Sequence, residues 1–307
     1  MKVIITGGAG FIGSHIAEYW CAKNAEVIVI DNLRSGFEEN LSKLNVNFIN
    51  HSITNLEKIE NIFLGADYIF NLAALVSVPE SIEKPFECID INVHGLLNLL
   101  ELAKKYKIKK LVHSSSAAVY GDEPEQPKRI SLKPMPKTPY GITKLDGEYY
   151  CQMYSEQFGV PAVSLRYFNV FGPRQNPKSQ YAAAIPIFVN LALQNKDLTI
   201  YGDGNQTRDF IYVKDVVRAN VLAAESKITK GVFNVATENT ITIKQTAEKI
   251  IELTNSKSKI IFADERAGDI KHSQADITET KLQLGFKSEF SFETGLKETI
   301  NYFKNKL

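Results

Sequence analysis

Three hydroxyls and a tyrosine–lysine pair suggest the chemistry of this 307-residue chain. Ser114, Ser115 and Ser116 close an apolar run at 108–113, and Tyr140 and Lys144 open a long helical pattern. Residues four apart share one helix face, so the Lys144 ammonium lies near the Tyr140 phenol and favours the phenolate. A phenolate with a serine hydroxyl alongside handles the proton of a sugar or other alcohol carbon, provided a bound group accepts the electrons. The rest of the chain reads as the means of supplying that acceptor and that alcohol.

Residues 2–6 read as a short buried strand that runs into Gly7-Gly8-Ala9-Gly10-Phe11-Ile12-Gly13 and then a helix to about residue 23. This is a glycine-rich dinucleotide loop: Gly7 allows the tight turn, Gly10 lets backbone approach a pyrophosphate, and Gly13 lets helix and strand pack closely. A second strand at 26–30 ends in Asp31, at the spacing expected of an acid that binds ribose hydroxyls. A carboxylate there favours NAD over NADP, while Arg34 keeps a 2′-phosphate in play.

Strands are predicted at 46–49, 68–72, 108–113 and 162–166, with helices at 56–63, 88–105 and 140–158. This alternation implies an α/β fold, a Rossmann-type doubly wound parallel sheet over 1–170. Ligands in such sheets bind beyond the carboxyl ends of the strands, where Gly7, Asp31, Ala73, Ser116 and Asn169 all fall. After Phe171 the pattern loosens into smaller elements. Helices are expected at 185–194, 213–225 and 243–253, strands at 209–212, 232–235 and 259–262, and a last amphipathic helix ending near 303. Residues 171–307 are therefore expected to form mainly a smaller C-terminal α/β substrate-binding lobe, with elements from about 209–236 returning to the sheet.

Composition narrows the class. Apolar residues at 44%, charged residues at 23% and a net charge of +1 describe an ordinary soluble protein without the basic excess of a general nucleic-acid binder. Cys21, Cys88 and Cys151 are widely spaced, suggesting neither a disulfide framework nor a cysteine metal site, and point to a reducing cytoplasm. The glycine loop begins too early for a signal peptide, and no apolar run reaches membrane-spanning length, so no membrane association is expected. His15, His51, His94, His113 and His272 show no metal-like spacing, and Trp20 reads as core.

Several motifs in order resemble the extended short-chain dehydrogenase/reductases, and within them the UDP-hexose 4-epimerases. They are the glycine loop, Asp31-Asn32-Leu33, the segment 114–121, Pro139-Tyr140-Gly141 with Lys144, the segment 166–173, the segment 201–210, and Arg266 with Gly268-Asp269. The resemblance spans nearly the whole chain. It implies tightly bound NAD, with Ser116, Tyr140 and Lys144 acting at C4 of a hexose. Tyr140 takes the C4 hydroxyl proton as hydride leaves C4; the 4-keto sugar turns over about its diphosphate link, and hydride returns to the other face. Lys144 and the positive nicotinamide are both expected to lower the Tyr140 pKa. Ser116 is expected to bond the C4 oxygen, with Ser115 or Ser114 as the other choices. Ala117 and Ala118 stand where similar dehydratases carry an acidic pair, so elimination is disfavoured.

The resemblance further implies cofactor contacts from Gly7, Gly10, Phe11, Ile12, Asp31, Asn32, Ser35, Gly36, Ser52, Ile53, Leu72, Ala73, Ala74, Asn92, Ser114, Tyr140, Lys144 and Tyr167. It implies substrate contacts from Ser77, Ser116, Asn169, Ala184, Ile185, Tyr201, Arg208, Arg266, Asp269 and Ser273. Arg208 and Arg266 suit a diphosphate, because a planar guanidinium pairs bidentately with phosphate oxygens. The other reading for Arg208 is a salt bridge to Asp209 or Asp215, and Ser77 reads equally well as a turn cap. Small Ser273 leaves room for a 2-N-acetyl group that a tyrosine there would fill, which tilts the expectation to UDP-N-acetylglucosamine and UDP-N-acetylgalactosamine. The sequence departs from the family at Ser52, where an aspartate is usual, and at Val76, where some relatives carry lysine. The alternatives are an epimerase restricted to UDP-glucose and UDP-galactose, or a dinucleotide-sensing binding protein on the same fold. A homodimer through helices 92–105 and 140–158 is implied by resemblance.

Overall fold

The computed structural model describes residues 1–177, 183–265 and 271–306. The first part of the chain forms β1 (Lys2–Thr6), α1 (Phe11–Ala22), β2 (Glu26–Ile30), β3 (Asn47–Ile49), α2 (Leu56–Ile59), β4 (Tyr68–Asn71), α3 (Val78–Glu83), α4 (Pro85–Ile89), α5 (Gly95–Lys105), β5 (Lys110–Ser116), α6 (Pro139–Phe158) and β6 (Ala162–Tyr167). It continues with β7 (Asn169–Phe171), α7 (Ala184–Leu193), β8 (Leu198–Tyr201), β9 (Thr207–Arg208), β10 (Phe210–Tyr212), α8 (Val213–Glu225), β11 (Lys230–Val235), β12 (Ile241–Thr242), α9 (Ile243–Thr254), β13 (Ile260–Ala263), α10 (Thr278–Leu284) and α11 (Phe292–Lys304).

Seven strands pair in the order β11-β6-β5-β4-β1-β2-β3, and every adjacent pair is parallel. The doubly wound sheet read from the sequence is therefore present. Its strands carry near-continuous apolar runs because helices cover both faces: Val3, Ile5, Phe70, Val112 and Val163 pack into one core, and Ile4, Ile28, Ile69, Leu111 and Ala162 into the other. Trp20 lies in the first core at 1% exposure, as expected. Strand order reverses between β1 and β4, so the crevice of such a sheet opens where the glycine loop meets Leu72 and Ala73. A third core, including Phe171, Ile185, Phe188, Ile200, Tyr212 and Leu296, belongs to the later elements.

The helix carrying Tyr140 is defined at both ends by local chemistry. The Thr138 hydroxyl accepts from Gly141 N at 3.2 Å, Pro139 occupies the first turn, and Gly159 closes the helix with φ +67°. Other boundaries shift. The helix expected from residue 88 begins at Pro85 and passes through a π-helical segment, Asp90–His94, before α5. β5 extends to Ser116 because β6 pairs with it through Ser114, Ser115 and Ser116, beyond the end of its pairing with β4 at His113, so the serines sit on the strand end itself. The short β7 and β12, and the helices α3 and α10, were not expected; two- and three-residue strands are too brief to show a period.

Candidate active site

A cavity of about 490 Å³ opens at the carboxyl ends of the central strands. Gly7, Gly10, Phe11 and Ile12 line it from the loop after β1, and Asp31, Asn32 and Ser35 from the end of β2. Ser52 and Ile53 close one end, Leu72, Ala73 and Ala74 form the wall after β4, and Ser114 and Tyr167 lie at the ends of β5 and β6. The backbone here is shaped for close approach. Gly7 takes φ +69°, and a Cβ on it would stand 2.6 Å from Ala73 N. A Cβ on Gly13 would stand 2.3 Å from Gly7 O.

Asp31 is held for its task. One carboxylate oxygen accepts from Ala9 N at 3.0 Å and the other from Leu33 N at 2.8 Å. Burial pushes its pKa up while these backbone donors oppose the rise. Arg34 lines the same end of the cavity, but its guanidinium is committed to Glu80 at 3.0 Å and Glu87 at 2.9 Å. The competition for a 2′-phosphate left open by the sequence is thereby weakened. Cradle, acid and cavity all fit a dinucleotide of the NAD type.

Two expected cofactor residues do not line the cavity. Gly36 packs behind Ala9 and Asp31. Asn92 is buried, accepts from Leu75 N at 2.7 Å and donates to the Thr143 hydroxyl at 3.0 Å, so it braces the wall from behind. Conversely, His51, Ile91, Gln175, Asn176 and Ala183 line it without having been expected there, and Val76, at the position where some relatives carry a lysine near the cofactor, lines it too. Gln175 follows the segment 166–173, and His51 directly precedes Ser52; neither has a sequence pattern that fixes its direction.

Ser116, Tyr140 and Lys144 all face the cavity. Lys144 Nζ lies 5.8 Å from the Tyr140 ring centroid and donates to Ser114 O at 2.7 Å. Ser115 turns away and donates its hydroxyl to Glu148, while Ser116 accepts from Ala118 N at 3.1 Å and hydrogen-bonds the phenol. Of the three serines, Ser116 is the one that meets Tyr140. The expected lowering of the Tyr140 pKa is not realised by the protein groups: burial raises it, Ser116 pulls it down by less, and the Cys88 thiol raises it further. The same burial pulls Lys144 down to about 8. Desolvation of the pair, with Lys144 buried and Tyr140 half-buried, outweighs the mutual effect that spacing alone suggested.

The expected substrate residues are scattered around this centre. Ser77 caps α3, accepting from Glu80 N at 3.2 Å, which is the capping alternative. Asn169 sits in β7 and donates to Asp209 O at 3.3 Å. Ala184 and Ile185 start α7, beside cavity-lining Ala183. Tyr201 ends β8. Ser273 is tied by its backbone N to Thr207 O at 3.2 Å, next to Arg208, and does not line the cavity. Arg266 and Asp269 lie outside the described residues. The carboxylates offered as partners for Arg208 are engaged elsewhere: Asp209 accepts from Thr237, Glu238 and Ala275, and Asp215 from Ser288, Glu289 and Phe290. Among the described residues, no group of three metal-ligating side chains is present and no helix is long and apolar enough to cross a membrane.

Comparison with known proteins agrees with this geometry. The model of the NAD dependent epimerase/dehydratase family matches residues 3–236. The fold is similar to a UDP-N-acetylglucosamine 4-epimerase from Methanobrevibacter ruminantium solved with UDP-N-acetylmuramic acid, at TM-score 0.95 and 42% identity, covering 100% of this chain and 99% of that one. It is similar to a UDP-glucose 4-epimerase from Thermotoga maritima solved with UDP-glucose, at TM-score 0.95 and 39% identity with the same coverage. A UDP-glucose 4-epimerase from Thermus thermophilus in complex with NAD matches at TM-score 0.91 and 35% identity over 100% of both chains.

Proposed function

The chain belongs to the NAD dependent epimerase/dehydratase family and is an NAD-dependent UDP-sugar 4-epimerase, and from that premise we propose that it interconverts UDP-N-acetylglucosamine and UDP-N-acetylgalactosamine. The observation that carries the chemistry is the shared cavity of Ser116, Tyr140 and Lys144 at the mouth of the dinucleotide cleft. When bound, NAD supplies the acceptor and donor of hydride. Tyr140 takes the proton from the C4 oxygen and returns it, Ser116 hydrogen-bonds that oxygen as it becomes a carbonyl, and Lys144 holds positive charge beneath the phenol. With methyl groups at Ala117 and Ala118, no neighbouring acid is supplied for elimination.

The remaining assignments are proposals of the same reading. The cofactor contacts are those named above from Gly7 to Tyr167 that line the cavity, with Gly36 and Asn92 supporting its wall from behind. Arg208 and Arg266 grip the diphosphate, Asp269 the ribose, and Asn169, Ala184, Ile185 and Tyr201 the rest of the UDP-sugar. Residues 1–170 with the returning 209–236 segment form the NAD-binding domain, and 171–307 mainly the sugar-nucleotide lobe. A cytoplasmic homodimer fits the three free cysteines and the apolar side chains exposed on α3, α4 and α6, including Ile82, Phe86, Ile142 and Tyr149; a monomer mass in sedimentation would contradict the dimer.

Preference for the acetylated sugar rests on the small Ser273. Ser273→Tyr is expected to lower kcat/KM for UDP-N-acetylglucosamine by about tenfold or more while sparing UDP-glucose, since one clash of about 1–3 kcal/mol suffices. Equal loss on both sugars would refute the gate.

A further inference from the structure

Beyond Lys144, the next residue on the same face of α6 is a buried carboxylate. Glu148 stands one turn further along and is 3% exposed, as is Lys144. A lone carboxylate so enclosed would give up its charge. Glu148 is instead clamped: Arg166 donates through Nε at 2.8 Å and Nη2 at 2.7 Å, and the Ser115 hydroxyl donates to the same carboxylate. The sheet builds this clamp, because Ser115 pairs with Arg166 in the β5–β6 register and Arg166 with Asn234 in β6–β11. The guanidinium also stacks over Tyr120, 4.7 Å from its centroid, and the Tyr120 hydroxyl donates to Asn234 at 2.7 Å.

A buried ion pair is by itself weak evidence for stability, since apolar replacements of similar size are often neutral or better. Its place under the active-site lysine calls for another account. We propose that Glu148, fixed by Arg166 and Ser115, is a positioning residue that keeps the buried Lys144 ammonium charged and seated on Ser114 beneath Tyr140. This rests on the reading of Tyr140 and Lys144 given above. Burial draws the Lys144 pKa down, and Cys88 and, by less, the Glu148 carboxylate oppose that. The other groups around Lys144 are the Cys88 thiol from α4, the buried His113 from β5, whose pKa burial and Lys144 depress, and the Ser114 hydroxyl. α3 contributes the Ser81 hydroxyl, on Tyr140 N, and β11 the neutral Asn234 behind Arg166. Glu148 is the one carboxylate acting on Lys144 among the described residues.

The test is the pH profile of kcat for the NAD-loaded enzyme and its E148Q, R166M and E148Q/R166M variants, with folding and NAD content checked in each. E148Q leaves Arg166 uncompensated near Lys144 and should move the alkaline limb down by about one pH unit, with KM changing less than kcat. In R166M the carboxylate keeps the Ser115 hydroxyl and has Lys144 as its remaining cation, so it stays charged and should move the limb up. The double variant removes both charges and should shift the limb down by less than E148Q; it carries the test if a single variant does not fold. Uniform loss at every pH, or shifts of the two single variants in one direction, would overturn the proposal. Tyr140→Phe run in parallel separates the two failures. If that variant turns over normally, the catalytic reading has failed; if it is dead while the limbs stay fixed, only the role of Glu148 has.

Discussion

Tyr140→Phe is expected to fold, to retain NAD, and to lose about two to four orders of magnitude in kcat on every UDP-sugar the parent accepts, the range usual for removing a general acid–base group. The substitution deletes one oxygen from a half-buried side chain that lies between Ser116 and Lys144 and faces the cavity. Among the described residues no structural bond depends on that oxygen beyond the one with Ser116, so stability should change little. KM should also change less than kcat, because the proton moves only on the way to the transition state. The proton-acceptor role has a visible requirement: burial raises the phenol pKa in the protein alone, so activity should climb with pH on the acid side. Retention of near-full turnover, measured by single-turnover assay with NAD content checked, would mean that another group takes the proton.

Asp209→Ala is expected to give the largest loss of stability. Asp209 is fully buried, and its carboxylate accepts from Thr237 N at 2.9 Å, Thr237 Oγ1 at 2.8 Å, Glu238 N at 3.0 Å and Ala275 N at 3.3 Å. It thus joins the β9–β10 corner, the segment after β11 and the chain that follows Ser273. Alanine strands three backbone donors, and at about 1–3 kcal/mol for each buried donor left unmade the loss should reach roughly 3–5 kcal/mol. The melting temperature should fall by on the order of 10 °C for a chain of this size. Because Arg208 precedes it, substrate KM should rise as well. Asp209→Asn keeps one acceptor and should lose about half as much. A melting temperature unchanged to within about 2 °C in the alanine variant would show that these donors find other partners.

Asp209 also marks where sequence reading ends. As a neighbour of Arg208 it offered itself as a salt-bridge partner, and nothing in the string could place Thr237 and Ala275 around it. The glycine loop, Asp31 and the Tyr140–Lys144 spacing were legible because each depends on residues close in sequence, where helical period and turn chemistry act directly. The parallel sheet followed from the alternation of strands and helices. The Ser115–Glu148–Arg166 clamp was not legible, since its members are 18 and 33 residues apart and meet only through strand register and the α6 crossover. Asn92, expected at the cofactor from the resemblance alone, sits in the π-helical segment and bonds Leu75 and Thr143, partners that no local pattern in the sequence could indicate. The effect of the protein's own groups on the Tyr140 pKa is not legible for a related reason: spacing shows which charges are near, while burial depends on everything packed around them.

The central claim is tested most directly by following the NAD-loaded protein with UDP-N-acetylglucosamine and, separately, with UDP-glucose, resolving the sugars by proton NMR as C4 inverts. The account predicts that UDP-N-acetylgalactosamine appears until the two epimers stand at equilibrium, at a kcat/KM at least equal to that for UDP-glucose. Inversion of UDP-glucose alone would contradict it.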